Sequence, residues 1–158
     1  MSRKITPFLW FDTQAEDATR FYVSIFKDAE IVSINRMGDD GPVFTTSFRI
    51  ENETFIALNG GPANGDQSKF NDSISFMIDC ADQDEVDYFW DALTADGGKP
   101  GQCGWLRDKF GVAWQVVPQA LHEALGGPDP EGVGRAMQVM MQMTKLDVAK
   151  LKAAYNGE

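Results

Sequence analysis

The stretch ITPFLWFDTQAEDATRFYVSIF, residues 5–26, decides the fold. Ile5 to Phe11 is bulky and apolar and reads as a buried strand. Thr13-Gln14-Ala15-Glu16 has the form of a capping box, a helix start. Behind it Ala18, Phe21, Tyr22, Ile25 and Phe26 recur at the spacing of one helical face. Sixty-seven residues later, DSISFMIDCADQDEVDYFWDAL (residues 72–93) repeats the same plan. Ser73 to Cys80 is strand-like, Asp82 offers an N-cap, and Val86, Phe89, Trp90 and Leu93 make an apolar face. Asp12 and Asp79 are 67 apart (79 − 12), as are Asp17 and Asp84, Phe21 and Tyr88, Tyr22 and Phe89, and Phe26 and Leu93.

The segments after the two helices also match in kind. Ala29 to Met37 reads as a strand, then a loop to Pro42, then a hairpin of 43–50 and 54–59. In the second half a turn region, Ala95 to Gly101, precedes a hairpin of Gly104 to Lys109 and Val112 to Pro118 around Phe110-Gly111. Gly60 to Asp72 is a polar loop between the halves. The expectation is an α+β fold made by duplicating a β-α-β-β-β unit, with modules at about residues 4–60 and 72–118 of a domain spanning 1–118.

Residues 119–158 form a different kind of segment, expected to be a helical extension. Asp129-Pro130-Glu131 is an N-cap with proline next, at the first helical position. Val133, Ala136, Met137, Met140 and Met141 make the expected stripe, and Thr144 to Asp147 opens a further short helix. Four of the seven methionines lie between 137 and 143, which raises the idea of a Met-rich binding surface.

Composition narrows the function. Fourteen basic against 24 acidic residues leave a formal charge of −10, unsuited to phosphate backbones or anionic lipid surfaces. No nucleic acid and no membrane is therefore expected as a partner, and no apolar run reaches transmembrane length. The start, Met1 to Lys4, lacks the apolar stretch of a signal peptide, and two cysteines make no disulfide framework, so a cytoplasmic location is expected. The single histidine, His122, excludes multi-histidine metal centres and has no evident orienting partner beyond Glu123. Cys80 and Cys103 read as structural thiols. The glycines spell neither a dinucleotide fingerprint nor a P-loop.

The run CGWLRDKFGVAWQVVP (103–118), with Asn59-Gly60-Gly61-Pro62 and the helix from Phe21-Tyr22 to Phe26, resembles the PhnB-like group of the glyoxalase/bleomycin-resistance, or vicinal oxygen chelate, superfamily. That group is often labelled demethylubiquinone methyltransferase-like. The resemblance implies that each β-α-β-β-β module curls into half of an open barrel around a cavity, and that the protein is a homodimer. It also implies metal-ligand positions on the first and last strand of each module, usually His, Glu or Gln. Here those positions fall at Thr6, Ala57, Ser73 and Gln115. Two hydroxyls, a methyl and an amide suit no divalent transition metal, so neither metal nor cofactor is expected. The methyltransferase label likewise lacks a Gly-rich turn for S-adenosylmethionine.

Strand alternation from those positions adds Phe8, Trp10, Asn59, Ser75 and Met77 to the cavity lining, with Phe55, Ala113 and Val117 beside them. Ile74, Phe76 and Ile78 would face the second helix, and Ile56 and Leu58 would lie outside. Aromatic walls with a few polar groups suit a small organic ligand. Trp10 would wall it, and Asn59, Ser75 and Gln115 would hydrogen-bond it. Two alternatives stand beside this: a metal-dependent lyase, isomerase or dioxygenase with an atypical ligand set, and an interaction protein using the Met-rich tail.

Overall fold

A computed structural model describes residues 4–62 and 65–158. Met1 to Arg3 and residues 63 and 64 of the expected mid-chain loop lie outside the described residues. The chain divides into two compact units, 1–69 and 70–158.

In the first unit β1 (Phe8–Phe11) leads to α1 (Ala15–Ile25), then β2 (Ala29–Arg36), β3 (Val43–Ile50) and β4 (Glu53–Asn59). The sheet order is β1-β4-β3-β2, with β1 parallel to β4 and the other pairs antiparallel. In the second unit β5 (Ser75–Cys80) leads to α2 (Gln83–Thr94), then β6 (Lys99–Pro100), β7 (Trp105–Arg107) and β8 (Ala113–Pro118). Its order is β5-β8-β7-β6, again with the first strand parallel to the last. The two orders are the same pattern, as the duplication requires. Burial refines the offset in the helices: Ala18, Tyr22 and Ile25 correspond to Val86, Trp90 and Leu93, 68 residues on (86 − 18). β6 lies inside the stretch expected to be only a turn.

Each helix covers one face of its own sheet. Under α1 the rings of Tyr22, Phe48 and Phe55 stack in series, with centroids 6.0 and 5.3 Å apart. Beside them the buried hydroxyls of Thr19 and Thr46 satisfy each other at 2.6 Å. Under α2, strand register sets Phe76, Trp114 and Leu106 side by side, with Ile78 and Val116 next to them.

The register corrects the face expected for β4. Leu9 pairs with Ala57 and Phe11 with Asn59, while Phe8 pairs with Ile56 and Trp10 with Leu58. Phe55, Ala57 and Asn59 therefore face α1, and Ile56 and Leu58 share the helix-free face with Phe8 and Trp10. A one-residue slip in counting moves every side chain of a strand to the other face. Ile74 is also corrected: it precedes β5 and is 74% exposed rather than covered by α2.

The capping box is not made. Glu16 turns outward to Arg20 and Arg36, at 2.7 and 3.2 Å. The Ala15 N–H instead donates to Asn59 Oδ1, 2.8 Å away and 44 residues later. Asp82 does cap α2, accepting from the Glu85 N–H.

The tail forms α3 (Gln119–Leu125), α4 (Pro130–Met140) and α5 (Val148–Asn156). Asp129 caps α4 as expected, accepting from the N–H groups of Glu131 and Gly132. The α4 stripe is rotated from the expected one: Gly132 and Ala136 are buried, and Met137 and Met141 are exposed. The last helix starts later than expected, capped by Asp147. Val117 at the end of β8 joins Leu121, Met143, Leu146 and Leu151 in one buried cluster. Two backbone bonds, from Cys103 N to Met143 O and from Gly104 N to Thr144 O, tie the tail to the loop before β7.

Candidate functional site

Most of the motif residues are occupied in holding the fold. Asp108 is buried and accepts from three donors: the N–H groups of Phe110 and Val112, and Trp114 Nε1 at 2.9 Å. It closes the turn between β7 and β8. Gly104 has φ +83°, and a Cβ there would stand 2.9 Å from both Leu146 Cδ1 and Val116 O, so only glycine lets the tail approach. Gly60 lies against the Trp10 ring, where a Cβ would come within 2.3 Å of it. The indole Nε1 donates to Gly61 O at 2.9 Å. The Asn-Gly-Gly-Pro motif thus seats Trp10 and, through Asn59, the start of α1. Asn59 also donates from Nδ2 to Val43 O at 3.0 Å. Both ends of its amide are thus engaged, toward α1 and β3.

The expected lining residues separate into groups. Thr6 and Ser73 precede their strands and are exposed; the Ser73 N–H is held by Asn71 Oδ1. Phe8 and Trp10 share the helix-free face of the first sheet. Ala57 is fully buried on the opposite face. Ser75, Met77 and Gln115 share one face of the second sheet, where Gln115 Nε2 donates to Ser75 Oγ at 2.9 Å. Trp105 lies directly across from Gln115 and Arg107 across from Ala113, on that same face.

Next to them is a groove of about 890 Å³, lined by Lys99, Gln102, Trp105, Arg107, Lys109 and Phe110 among others. Arg107 Nε donates to Asp72 Oδ1 at 3.0 Å, and this bond holds the Asp72 carboxyl below the usual carboxylate range. Lys109 Nζ lies 5.6 Å from the Phe110 ring centre. Sequence reasoning missed these residues as a site. The signal was present: Lys99, Arg107 and Lys109 are the only basic residues between 73 and 118.

His122 is not without a partner. Its Nε2 lies 2.9 Å from Asp79 Oδ1, a carboxylate 43 residues earlier that sequence distance concealed. Cys80 is buried, and that burial pushes its thiol up to about 12, which leaves it unreactive.

The donor set for a superfamily metal does not fit. The ligand positions hold hydroxyls at Thr6 and Ser73 and an already bonded amide at Gln115. On the last strand of the first module, the residues sharing the Trp10 face are Ile56 and Leu58. Among the described residues, no three His, Cys, Asp or Glu side chains cluster to hold a metal. A nucleotide-like cofactor fits no better on the strand-to-helix turns. Neither turn contains glycine, and the N-termini of α1 and α2 are taken by Asn59 and Asp82.

A duplicated β-α-β-β-β chain with this strand order has the glyoxalase-type fold. A glyoxalase-related enzyme from Fulvimarina pelagi shares it with a TM-score of 0.50 at 10% identity, covering 75% of this chain and 91% of that one. The chain belongs to the family described as 3-demethylubiquinone-9 3-methyltransferase, whose model matches residues 3–117. It is similar to the PhnB protein from Bacillus cereus, with 30% identity, a TM-score of 0.66, and coverage of 73% of this chain and 99% of that one. Protein PA1353 from Pseudomonas aeruginosa matches with a TM-score of 0.58 at 20% identity, over 74% and 98% of the two chains. No curated protein matches. No helix among the described residues is long and apolar enough to cross a membrane.

Proposed function

We propose that this chain binds a small organic molecule against the face of its second sheet opposite α2, without a catalytic metal. The observation that carries the reading is the groove of about 890 Å³ lined by Trp105, Phe110, Lys99 and Arg107, whose lining does not include the expected Ser75, Met77 or Gln115. Its size lies in the range of small-molecule sites, and its lining joins two aromatic rings to a few charged groups. The unsuitable donor set supports the absence of metal chemistry. Family membership names no reaction for this chain, because activity resides in sites rather than folds.

The test is quenching of the four tryptophans by a panel of metabolites and antibiotics. Saturable quenching that is lost in Trp105→Leu supports the reading; no saturable change across the panel overturns it. The metal-dependent alternative is tested on protein purified without chelators, where stoichiometric zinc, nickel, manganese or iron would replace our reading.

We propose also that the protein is a homodimer of the cytoplasm. The exposed side chains of Ile5 and Phe8 beside the edge strand β1, and the two free thiols, support this. Light scattering of the full chain should give twice the 17.5 kDa chain mass.

A further inference from the structure

The charges of the second half are sorted in space. Residues 73–118 hold three basic and eight acidic side chains. All three basic ones line the single groove described above, and of the eight acids only Asp108 does. Both Asp108 oxygens are already engaged by N–H donors. The most acidic stretch of the chain therefore gathers its cations at one place.

Lys99 and Arg107 are direct cross-strand partners on β6 and β7. Direct partners place their side chains on one face with Cβ atoms about 5 Å apart, and like charges so placed repel. Arg107 has Asp72 on Nε. Lys99 has no hydrogen-bond or ion-pair partner among the described residues. Trp105, two residues before Arg107, projects from the same face.

We infer that the groove takes a monoanionic aromatic carboxylate, its carboxylate between Lys99 and Arg107 and its ring against Trp105. This rests on the binding reading above and names the class of ligand. Asp72 already shows that a carboxylate fits Arg107, at 3.0 Å from Nε. An Arg fork can donate to a second carboxylate from its terminal nitrogens. Of the groove's cations, Arg107 is paired with Asp72 and Lys109 with Asp96, at 3.0 and 4.0 Å, which leaves Lys99 as the one unpaired among the described residues and matches one negative charge rather than two.

The experiment is calorimetric titration of the full chain with 2-naphthoate and, separately, with the neutral 2-naphthamide. The acid should bind at least about tenfold more tightly than the amide. Lys99→Gln, at an exposed position without a partner, should remove most of that preference by weakening the acid. Asp72→Asn, which frees Arg107, should tighten acid binding several-fold. Equal affinity for acid and amide, or an acid affinity unmoved by both variants, overturns the inference while the groove remains a binding site for neutral molecules. Absence of heat with either compound, together with a silent fluorescence panel, overturns the binding reading as well.

Discussion

The two halves share a strand order and differ at their edges. The first sheet ends in two strands of eight residues, β2 and β3. The second ends in strands of two and three, β6 and β7. The turn between β3 and β4 is tight, with Glu51 at φ +50°. The corresponding turn between β7 and β8 is wider and is closed by Asp108. The groove of about 890 Å³ lies at the short-stranded edge of the second half, whereas the pocket described in the first half, of about 370 Å³, lies at the start of α1. Duplication preserves the buried register, because every core side chain depends on it, while an edge hairpin can change at little cost to the core.

Removing Asp108 should break this difference most severely. Asp108→Ala orphans three N–H donors at once and should cost about 3–4 kcal/mol in urea unfolding. A loss under about 1 kcal/mol would show that the wider turn does not depend on the carboxylate. Leu146→Ala tests the tail as a part of the second half. Leu146 is fully buried, and its truncation should cost about 3 kcal/mol. An unchanged midpoint would separate the tail from the folding of that half.

Asn59→Ala compares the two helix starts. It removes a cap supplied from 44 residues away and leaves Val43 O without its donor, so the loss should be about 1–2 kcal/mol. Asp82→Ala, a local cap, should lose about 1 kcal/mol or less. If Asp82→Ala proves the more damaging, the cap in the first half is not the stronger one.

Cys80 gives a pH signature to the second half alone. Burial raises its folded thiol from 9.0 to about 12, with Glu85 and Asp79 adding to the effect. Between those values the unfolded chain releases a proton that the folded chain retains, so stability falls as pH rises through that window. Cys80→Ala should flatten this part of the stability profile; an unchanged slope would assign it elsewhere. The smallest effect belongs to Glu16→Gln in the first half. Its exposed pairs with Arg20 and Arg36 should contribute less than about 0.5 kcal/mol, vanishing in high salt.

The halves also show what could be read in advance. Strand and helix periodicity in 5–26 and 72–93, the acidic cap at Asp82 and the Asp129-Pro130 start were legible because each depends on neighbours within a few residues. The candidate site was less so. Ser75, Met77 and Gln115 do share a face, as alternation from Gln115 implies. Ala57 and Asn59 were placed on the wrong face, because alternation transmits any error in its starting residue to the whole strand. Lys99, Arg107 and Trp105 do not read as a site because β6 and β7, of two and three residues, are too short to carry a periodic pattern.

The sequence by itself determined the repeated β-α-β-β-β plan and the acidic character that disfavours phosphate backbones. Tertiary structure alone decided that Asn59 caps α1, that Asp79 meets His122, that Gly104 yields to Leu146, and that three scattered cations meet in one groove. The physical reason is range. Periodicity and composition are local or summed properties of the chain, whereas a cap drawn from another strand or a cross-strand charge pair exists only once the register has been set.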